Sequence, residues 1–599
     1  METERIIKRS EQKKEDTWAL EDIFESNEKW FEELKACAAL IPNIEAFKGK
    51  LSESAEQLYN FMKLSDEVSV RLEALANYAF RRNDEDQANS YYIDMRGKVM
   101  TLFTAVSSAS AFLSPEIISL DDALLESFYK ELPELELYRR AIDKERRMKD
   151  HILSENEEKI LAASSQIAES SENINSVFTN ADMKFPSVKD SNGKEYVLTQ
   201  GTYVNILHSH DRELRKNAFE AFYGVFDDFK NTIAATLDGQ MKQLKFYSDI
   251  RRYPSTIEAS LSRTEVPCEV YYNLIDTVHA NMDKMYKYIN LRKKLMGVDE
   301  LHMYDIYCPI VSEMNREISF EEAKENVLEA LGILGDEYVS MLKEGFNNRW
   351  IDVYENEGKR GGAYSAGGRP HPYVLLNHKN NIDSQFTLAH EMGHALHSYF
   401  SIKNQPVVYS DYVIFVAEVA STCNEVLLMK HLLNKTTDKK ERAYLINYFL
   451  EQFRTTLYRQ TMFAEFELDM NRMCSNDESL TADALNARYY DLNKLYYGDG
   501  IVVDDKIKLE WARIPHFFYN FYVFQYATGF AAAVAIADRI TKEGKNAVED
   551  YIRFLSGGNS KDPISLLKIA GVDMASPEPI NSALGLFDSL IDEMESLLR

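Results

Sequence analysis

Residues 387–400 read TLAHEMGHALHSYF, placing three of the chain's twelve histidines within eight positions. His390 and His394 are four apart, so on a helix their imidazoles leave one face a turn apart and can share a tetrahedral metal ion. Glu391 lies beside them, offset from the ligand direction but within reach of a water held by the ion. This is HExxH, and its chemistry is hydrolysis by metal-activated water with a carboxylate as base. The pattern alone arises by chance at a rate on the order of a few per hundred chains like this one. A third ligand therefore decides the reading.

His397 falls on the same face, but seven residues of helix carry it about 10 Å along the axis from His390. Metal–nitrogen bonds of about 2.1 Å cannot span that distance with His394 between. No glycine breaks HALHSYF, so His397 reads as a packing or supporting histidine. Downstream, SDYVIFVAEVASTCNEVLLMKHLL (410–433) reads as a second helix, with Glu418 in its apolar first half. An unpaired carboxylate there is costly. No Lys or Arg occurs between Asn404 and Met429, and a zinc ion would supply the missing charge. Glu425, two turns on, is placed to hold a ligand histidine by a hydrogen bond. The plainer alternative for Glu418 is a half-exposed glutamate of no special role.

Several elements must position these groups. Asp383 and Ser384 are expected helix caps, and Leu388, Ala389, Met392, Ala395, Leu396, Tyr399 and Phe400 form a buried stripe at helical spacing. Just upstream, WIDVYENEGKRGGAYSAGGRPHPYVLLN (350–377) reads as a short strand, a glycine-rich loop and the apolar strand YVLL at 373–376. That last strand is expected to pair with an extended peptide as an added strand. The loop matches neither GxxxxGK[ST] nor GxGxxG, so it is no phosphate cradle. KFPSVKDSNGKEYVLT (184–199) reads as a hairpin around Ser-Asn-Gly. Elsewhere helical periodicity dominates, as in 54–83, 211–249, 269–297 and 439–474. The fold class is mainly α, with a small β element beside the HExxH helix. The expected organisation is a helical N-terminal region at 1–110, connecting helices and hairpin at 111–200, and a catalytic domain at 201–599.

The bulk properties exclude some classes. A formal charge of -27 repels nucleic acid and anionic membrane surfaces. The charged N-terminus METERIIKRSEQKKED has no apolar core of a secretory signal, and uninterrupted apolar runs such as FAAAVAIA are far below membrane-spanning length. Five scattered cysteines without a CxxC pair fit a reduced, cytoplasmic enzyme.

HEMGH, a gap of twenty-three residues and then FVAEVAST.NE resembles the M3 family of zinc metallopeptidases, which includes thimet oligopeptidase. GAYSAGGRPHPYVLLN, IPHFFYNFYVFQYATGFAAA and DSNGKEYVLTQGTYVNILHSHDRELRKNAFEAFY are similar to its oligoendopeptidase F branch. The resemblance implies an elongated multi-helical body with a deep active-site channel that admits oligopeptides and excludes folded proteins. It implies one Zn2+ per chain held by His390, His394 and Glu418, with Glu391 as base. It further implies that His516, Tyr522 and Tyr526 serve substrate and oxyanion. In this chain Tyr519 precedes and Gly529 follows, where the better-known branch has glycines and a further tyrosine. Which of Tyr519, Tyr522 and Tyr526 contacts the oxyanion stays open. A preorganised phenol or imidazole donor is what a tetrahedral oxyanion requires on chemical grounds alone, whereas Phe517, Phe518, Phe521 and Phe524 read as core.

The expected function is a zinc-dependent endopeptidase acting on oligopeptides. The alternatives are a zinc hydrolase of non-peptide amides and a catalytically weak peptide-binding protein. A di-iron helical protein would need a second Glu-x-x-His besides Glu391–His394, and the sequence offers none.

Overall fold

Only 24 glycines and 14 prolines interrupt 599 residues, and helices accordingly take most of the chain. The computed structural model describes residues 5–311 and 316–598. The periodic stretches become helices at Ala55–Glu85, Arg212–Ile250, Cys268–His279 and Met282–Met296. The last ends at Gly297 in the left-handed conformation (φ +63°) that glycine adopts without a Cβ clash. The 439–474 stretch forms Lys439–Gln452 and Arg459–Ser475, joined by a π-turn at Phe453–Tyr458. The hairpin forms as expected, Val188–Lys189 pairing antiparallel with Glu195–Tyr196.

The chain divides into two compact units, each assembled from three stretches. The first comprises residues 1–150, 316–431 and 536–571. Its N-terminal helices bury Trp30, Leu58, Phe61, Leu75, Tyr78 and Val99 in one core, which Tyr373 and Leu375 enter from the sheet. Residues 90–119 are long and apolar enough to cross a membrane. They fold, however, as Ser90–Ala109 and Leu113–Ser119, with Met95, Val99, Leu102, Phe112 and Ile117 in that same core.

The sheet of this unit has three strands in the order Ile351–Asp352, Tyr373–Leu375, Tyr364–Ala366. Tyr373–Leu375 runs parallel to the first (Ile351 opposite Val374) and antiparallel to the last (Ser365 opposite Val374). The 373–376 strand is thus central, with both backbone edges taken, and cannot accept a peptide as an added strand. That expectation fails because Tyr364–Ala366, three residues between glycines, supplies an outer strand. The opposite edge is covered by the N-terminal segment: Val353 N–H donates to the Asp16 carbonyl and Ala19 N–H to the Arg349 carbonyl. Tyr364–Ala366 is therefore the remaining edge among the described residues.

The glycine-rich loop before it is fastened by Lys359, whose fully buried ammonium pairs with Asp352 at 2.7 Å and donates to the carbonyls of Tyr354 and Leu376 at 2.6 Å each. A lysine so engaged has no donor left for a phosphate. The second unit comprises residues 151–315, 432–535 and 572–599 and is built around the long helix Arg212–Ile250.

Candidate metal centre and active site

The histidines lie on helix Ile382–Asn404. Its N-cap is Asn381, whose side chain accepts the Ser384 N–H at 2.9 Å. Asp383 and Ser384 therefore sit inside the first turn rather than at the cap, and the Ser384 hydroxyl accepts the Lys379 N–H instead. Leu388, Ala389, Met392, Ala395, Leu396 and Phe400 are all essentially inaccessible, so the apolar stripe fixes the helix's rotation and aims the histidines.

The partner helix, Ile414–Lys435, comes unusually near. A Cβ built on Gly393 would stand 2.6 Å from Ser421 Cα and 2.7 Å from the Ala420 carbonyl oxygen. Only a residue without a side chain allows this backbone-to-backbone approach. Asn424 locks it: its Nδ2 donates to the Ala389 carbonyl at 3.0 Å, while its Oδ1 accepts the Tyr338 hydroxyl at 2.9 Å. Sequence reasoning missed both residues. A glycine inside HExxH looks only like a helix weakener, and the asparagine's polarity in an apolar helix was the available signal.

The approach gathers three donor atoms. His390 Nε2 and His394 Nε2 are 3.2 Å apart, and Glu418 Oε2 lies 3.4 Å from the first and 3.6 Å from the second. Tetrahedral ligands with bonds of about 2.1 Å stand about 3.4 Å from one another, so the three atoms already have ligand spacing. Two imidazole nitrogens and one carboxylate oxygen are the donor set that suits zinc. Glu425 Oε1 holds His390 Nδ1 at 2.6 Å. That ring is thereby turned so that its Nε2 faces the cluster. Glu418 is half-buried rather than enclosed, with Ser421 Oγ donating to its Oε2 at 3.1 Å.

Electrostatics ask for a cation at this point. Burial opposes charge on His390, yet the Glu425 hydrogen bond and the charges of Glu425, Glu391 and Glu418 carry it up to about 9. Burial and the neighbouring His390 hold His394 down to about 4. Three carboxylates thus converge on two imidazoles.

Glu391 is 6% exposed. Burial, reinforced by Glu418 and Glu425 and opposed by His390, raises its carboxyl to about 7. Its Oε2 is buried with no hydrogen-bond partner among the described residues. A carboxyl so placed has a pKa matched to moving protons near neutrality.

His397 is apart from all this. It is buried, stacked on Tyr412 at 3.7 Å between ring centres, and held neutral by burial and then by His394, with its pKa down to about 3. It is a core histidine.

The other predicted residues gather in the second unit. The His516 ring lies 5.5, 6.3 and 6.0 Å from those of Tyr519, Tyr522 and Tyr526, and Tyr522 lies 5.3 Å from Tyr526. His516, Tyr522 and Tyr526 are half-buried and Tyr519 is 45% exposed. Burial and then the Arg459 charge lower the His516 pKa, which favours its neutral form. Phe517, Phe518, Phe521 and Phe524 are buried, as expected of core.

Known proteins share this arrangement of sequence. Residues 205–586 match peptidase family M3, and residues 116–185 match the oligopeptidase F description. The chain is 50% identical to oligopeptidase PepF of Bacillus subtilis (strain 168), over 98% of this chain and 88% of that protein. It is 39% identical to group B oligopeptidase PepB of Streptococcus agalactiae, over 97% of each. The crystal structure of oligoendopeptidase-F from Enterococcus faecium superposes with a TM-score of 0.74 at 36% identity, covering 96% of this chain and 99% of that one. A family match spanning well over half the chain, on a motif whose histidines stand at ligand spacing, makes this protein a peptidase of family M3.

Proposed function

We propose that the protein is a zinc-dependent endopeptidase that cuts internal bonds of short, unstructured oligopeptides. The observation that carries the reading is the 3.2–3.6 Å spacing of His390, His394 and Glu418 donor atoms beside the buried Glu391. The names of the relatives, oligopeptidase PepF and oligoendopeptidase-F, support the substrate class.

His390, His394 and Glu418 would hold the ion through Nε2, Nε2 and Oε2. Bound there, zinc supplies Lewis acidity toward a carbonyl and a water. Glu391 takes a proton from the attacking water on its carboxylate and returns it to the leaving amine nitrogen. Glu425 keeps the His390 ring in the tautomer that presents Nε2. The edge strand Tyr364–Ala366 is the candidate to pair with an extended peptide backbone, a contact that a folded substrate cannot make without unfolding. His516, Tyr522 and Tyr526 are assigned as hydrogen-bond donors to the substrate, on the family resemblance and their clustering in one half-buried group. Five free thiols, four of them buried, suit a reducing, cytoplasmic setting.

The test is hydrolysis of internally quenched peptides by metal-analysed protein, with and without a chelator and after zinc is restored. The same cleavage sequence is offered free and inside a disulfide-locked domain. Chelator-sensitive internal cleavage of the free peptide alone is expected. Equal rates on both forms would overturn the oligopeptide reading, and chelator-resistant cleavage the zinc reading.

A further inference from the structure

The segment carrying His516, Tyr519, Tyr522 and Tyr526 turns through two successive residues of left-handed backbone, Asn520 (φ +54°) and Phe521 (φ +58°). Neither is glycine, and a bulky side chain in that region is an outlier that persists only where its surroundings impose it. Three side chains from three other helices do so. Glu467, on Arg459–Ser475, is fully buried, and its Oε1 accepts the Phe521 N–H at 2.6 Å. Gln240, on Arg212–Ile250, donates to the Phe518 carbonyl at 3.2 Å and to Asn520 Oδ1 at 3.1 Å. Ser260, on Thr256–Ser262, donates to the Asn520 carbonyl at 2.8 Å. The turn is thus fastened at residues 518, 520 and 521, while Phe521 packs edge-on against Tyr271.

The ring pairs His516–Tyr522, His516–Tyr526 and Tyr519–Tyr522 all reach across this turn. Relaxing Phe521 to ordinary backbone would redirect the chain after it and separate them. A carboxyl is also a costly choice for fastening one peptide group. Glu467 Oε2 is buried with no partner among the described residues, and an unsatisfied buried polar atom calls for a reason beyond stability.

We propose that Glu467, aided by Gln240 and Ser260, is a positioning residue that holds the Asn520–Phe521 turn and so presets His516 and the tyrosines for the substrate. This rests on the reading of that aromatic cluster as substrate donors. Glu467→Met keeps the shape and removes the acceptor, Glu467→Gln keeps an acceptor oxygen, and Ser260→Ala loosens the turn from its other side.

With Glu467→Met, kcat is expected to fall about 10²-fold, the effect of misplacing a catalytic group by about 1 Å. KM should stay within threefold and metal content should equal the parent's. Glu467→Gln should return kcat to within about threefold, and Ser260→Ala should lose about tenfold in kcat with KM held. The proposal is overturned by a parental kcat in Glu467→Met, by a Gln variant as impaired as Met, or by losses that follow metal content. If Glu467→Met does not fold, a parental kcat in Ser260→Ala overturns it. His516→Ala and Tyr522→Phe separate the two levels. If both turn over at the parental rate, the substrate reading of the cluster fails; if both are slow while Glu467→Met is not, only the positioning role fails.

Discussion

Gly393→Ala is the sharpest test of how the proposed metal centre is built. The added methyl would stand 2.6 Å from Ser421 Cα, 2.7 Å from the Ala420 carbonyl oxygen and 2.9 Å from Ser421 N. All three are backbone atoms, so no side chain can swing aside. Ordinary contact begins near 3.4 Å, and the helix pair must therefore part by about 0.8 Å at this point. Glu418 lies one turn before Ser421 and travels with it. The Glu418 Oε2 distances to His390 and His394 Nε2, 3.4 and 3.6 Å, would lengthen by a similar amount, past the separation of about 3.4 Å at which three atoms can share one tetrahedral ion. We expect zinc affinity to fall by about 10²-fold or more, with a further 1–3 kcal/mol of overpacking in the apoprotein. Competition with a chelating dye measures the first and chemical denaturation of zinc-free protein the second. Gly585→Ala is the control. That glycine lies in helix Glu578–Leu597 with nothing within 4 Å of a new Cβ, so alanine should stabilise by about 0.5–1 kcal/mol through helix propensity. A Gly393→Ala protein that binds zinc within threefold of the parent would refute the claim that this contact sets the ligand geometry.

Glu391→Gln should keep its zinc, because the residue contributes no atom to the ligand cluster, yet lose about 10²–10⁴ in kcat; an active variant would remove it as the base. Glu418→Ala should cost far more zinc than His397→Ala, whose penalty should instead appear as a lowered melting temperature from the lost ring stack on Tyr412, and metal analysis of both proteins decides between them. Glu467 carries a pH signature: burial, only partly offset by the Phe521 N–H, raises its carboxyl to about 8, and Tyr271 across from it feels its charge. Because the folded pKa exceeds the unfolded one, this group's contribution is present below about pH 4.5 and lost as pH rises to about 8. Glu467→Gln should therefore raise the melting temperature at pH 8–9 and change it little near pH 5; equal shifts at both would show that the carboxyl is not protonated in the fold.

The clustering of His390, His394 and Glu418 was legible because it is written in spacing. Four residues make one helical turn, so HExxH announces a shared ligand face before any fold is known. Glu418 was legible for a second reason, since a carboxylate among apolar residues, with no nearby cation in sequence, must find its counter-charge elsewhere. What stayed hidden was set by contacts between segments. The cap moved from Asp383 and Ser384 to Asn381 because all three are good capping residues and only the incoming loop selects one. The strand at 373–376 was visible as apolar sequence, but its central place depends on Tyr364–Ala366, too short and glycine-flanked to stand out as a strand. Nor does composition mark the interleaving of the two units: the chain passes between them at 431 and 535 within MKHLLN and AVAIAD, which read as uninterrupted helix.

The two kinds of information meet at one helix pair. On one helix Ala389, His390, Gly393 and His394 recur at helical spacing, and on the other Glu418, Ser421, Asn424 and Glu425 do the same. Within each stripe, packing residues alternate with chemical ones. Gly393 against Ser421 sets how near the helices come, and Asn424 bonded to the Ala389 carbonyl sets their register along the axis. Glu418 and Glu425 flank those contacts by a turn or less, so their reach to His390 and His394 follows once the packing is fixed. A carboxylate side chain alone could not guarantee that geometry, because its rotamers sweep several ångströms. The backbone approach at Gly393 fixes where the Glu418 backbone stands, and Ser421 Oγ, donating to Glu418 Oε2 at 3.1 Å, holds the carboxylate toward the histidines. Donor-atom spacing within 3.2–3.6 Å is then a property of how the two helices pack, and the candidate metal site and the core beneath it are specified by the same residues.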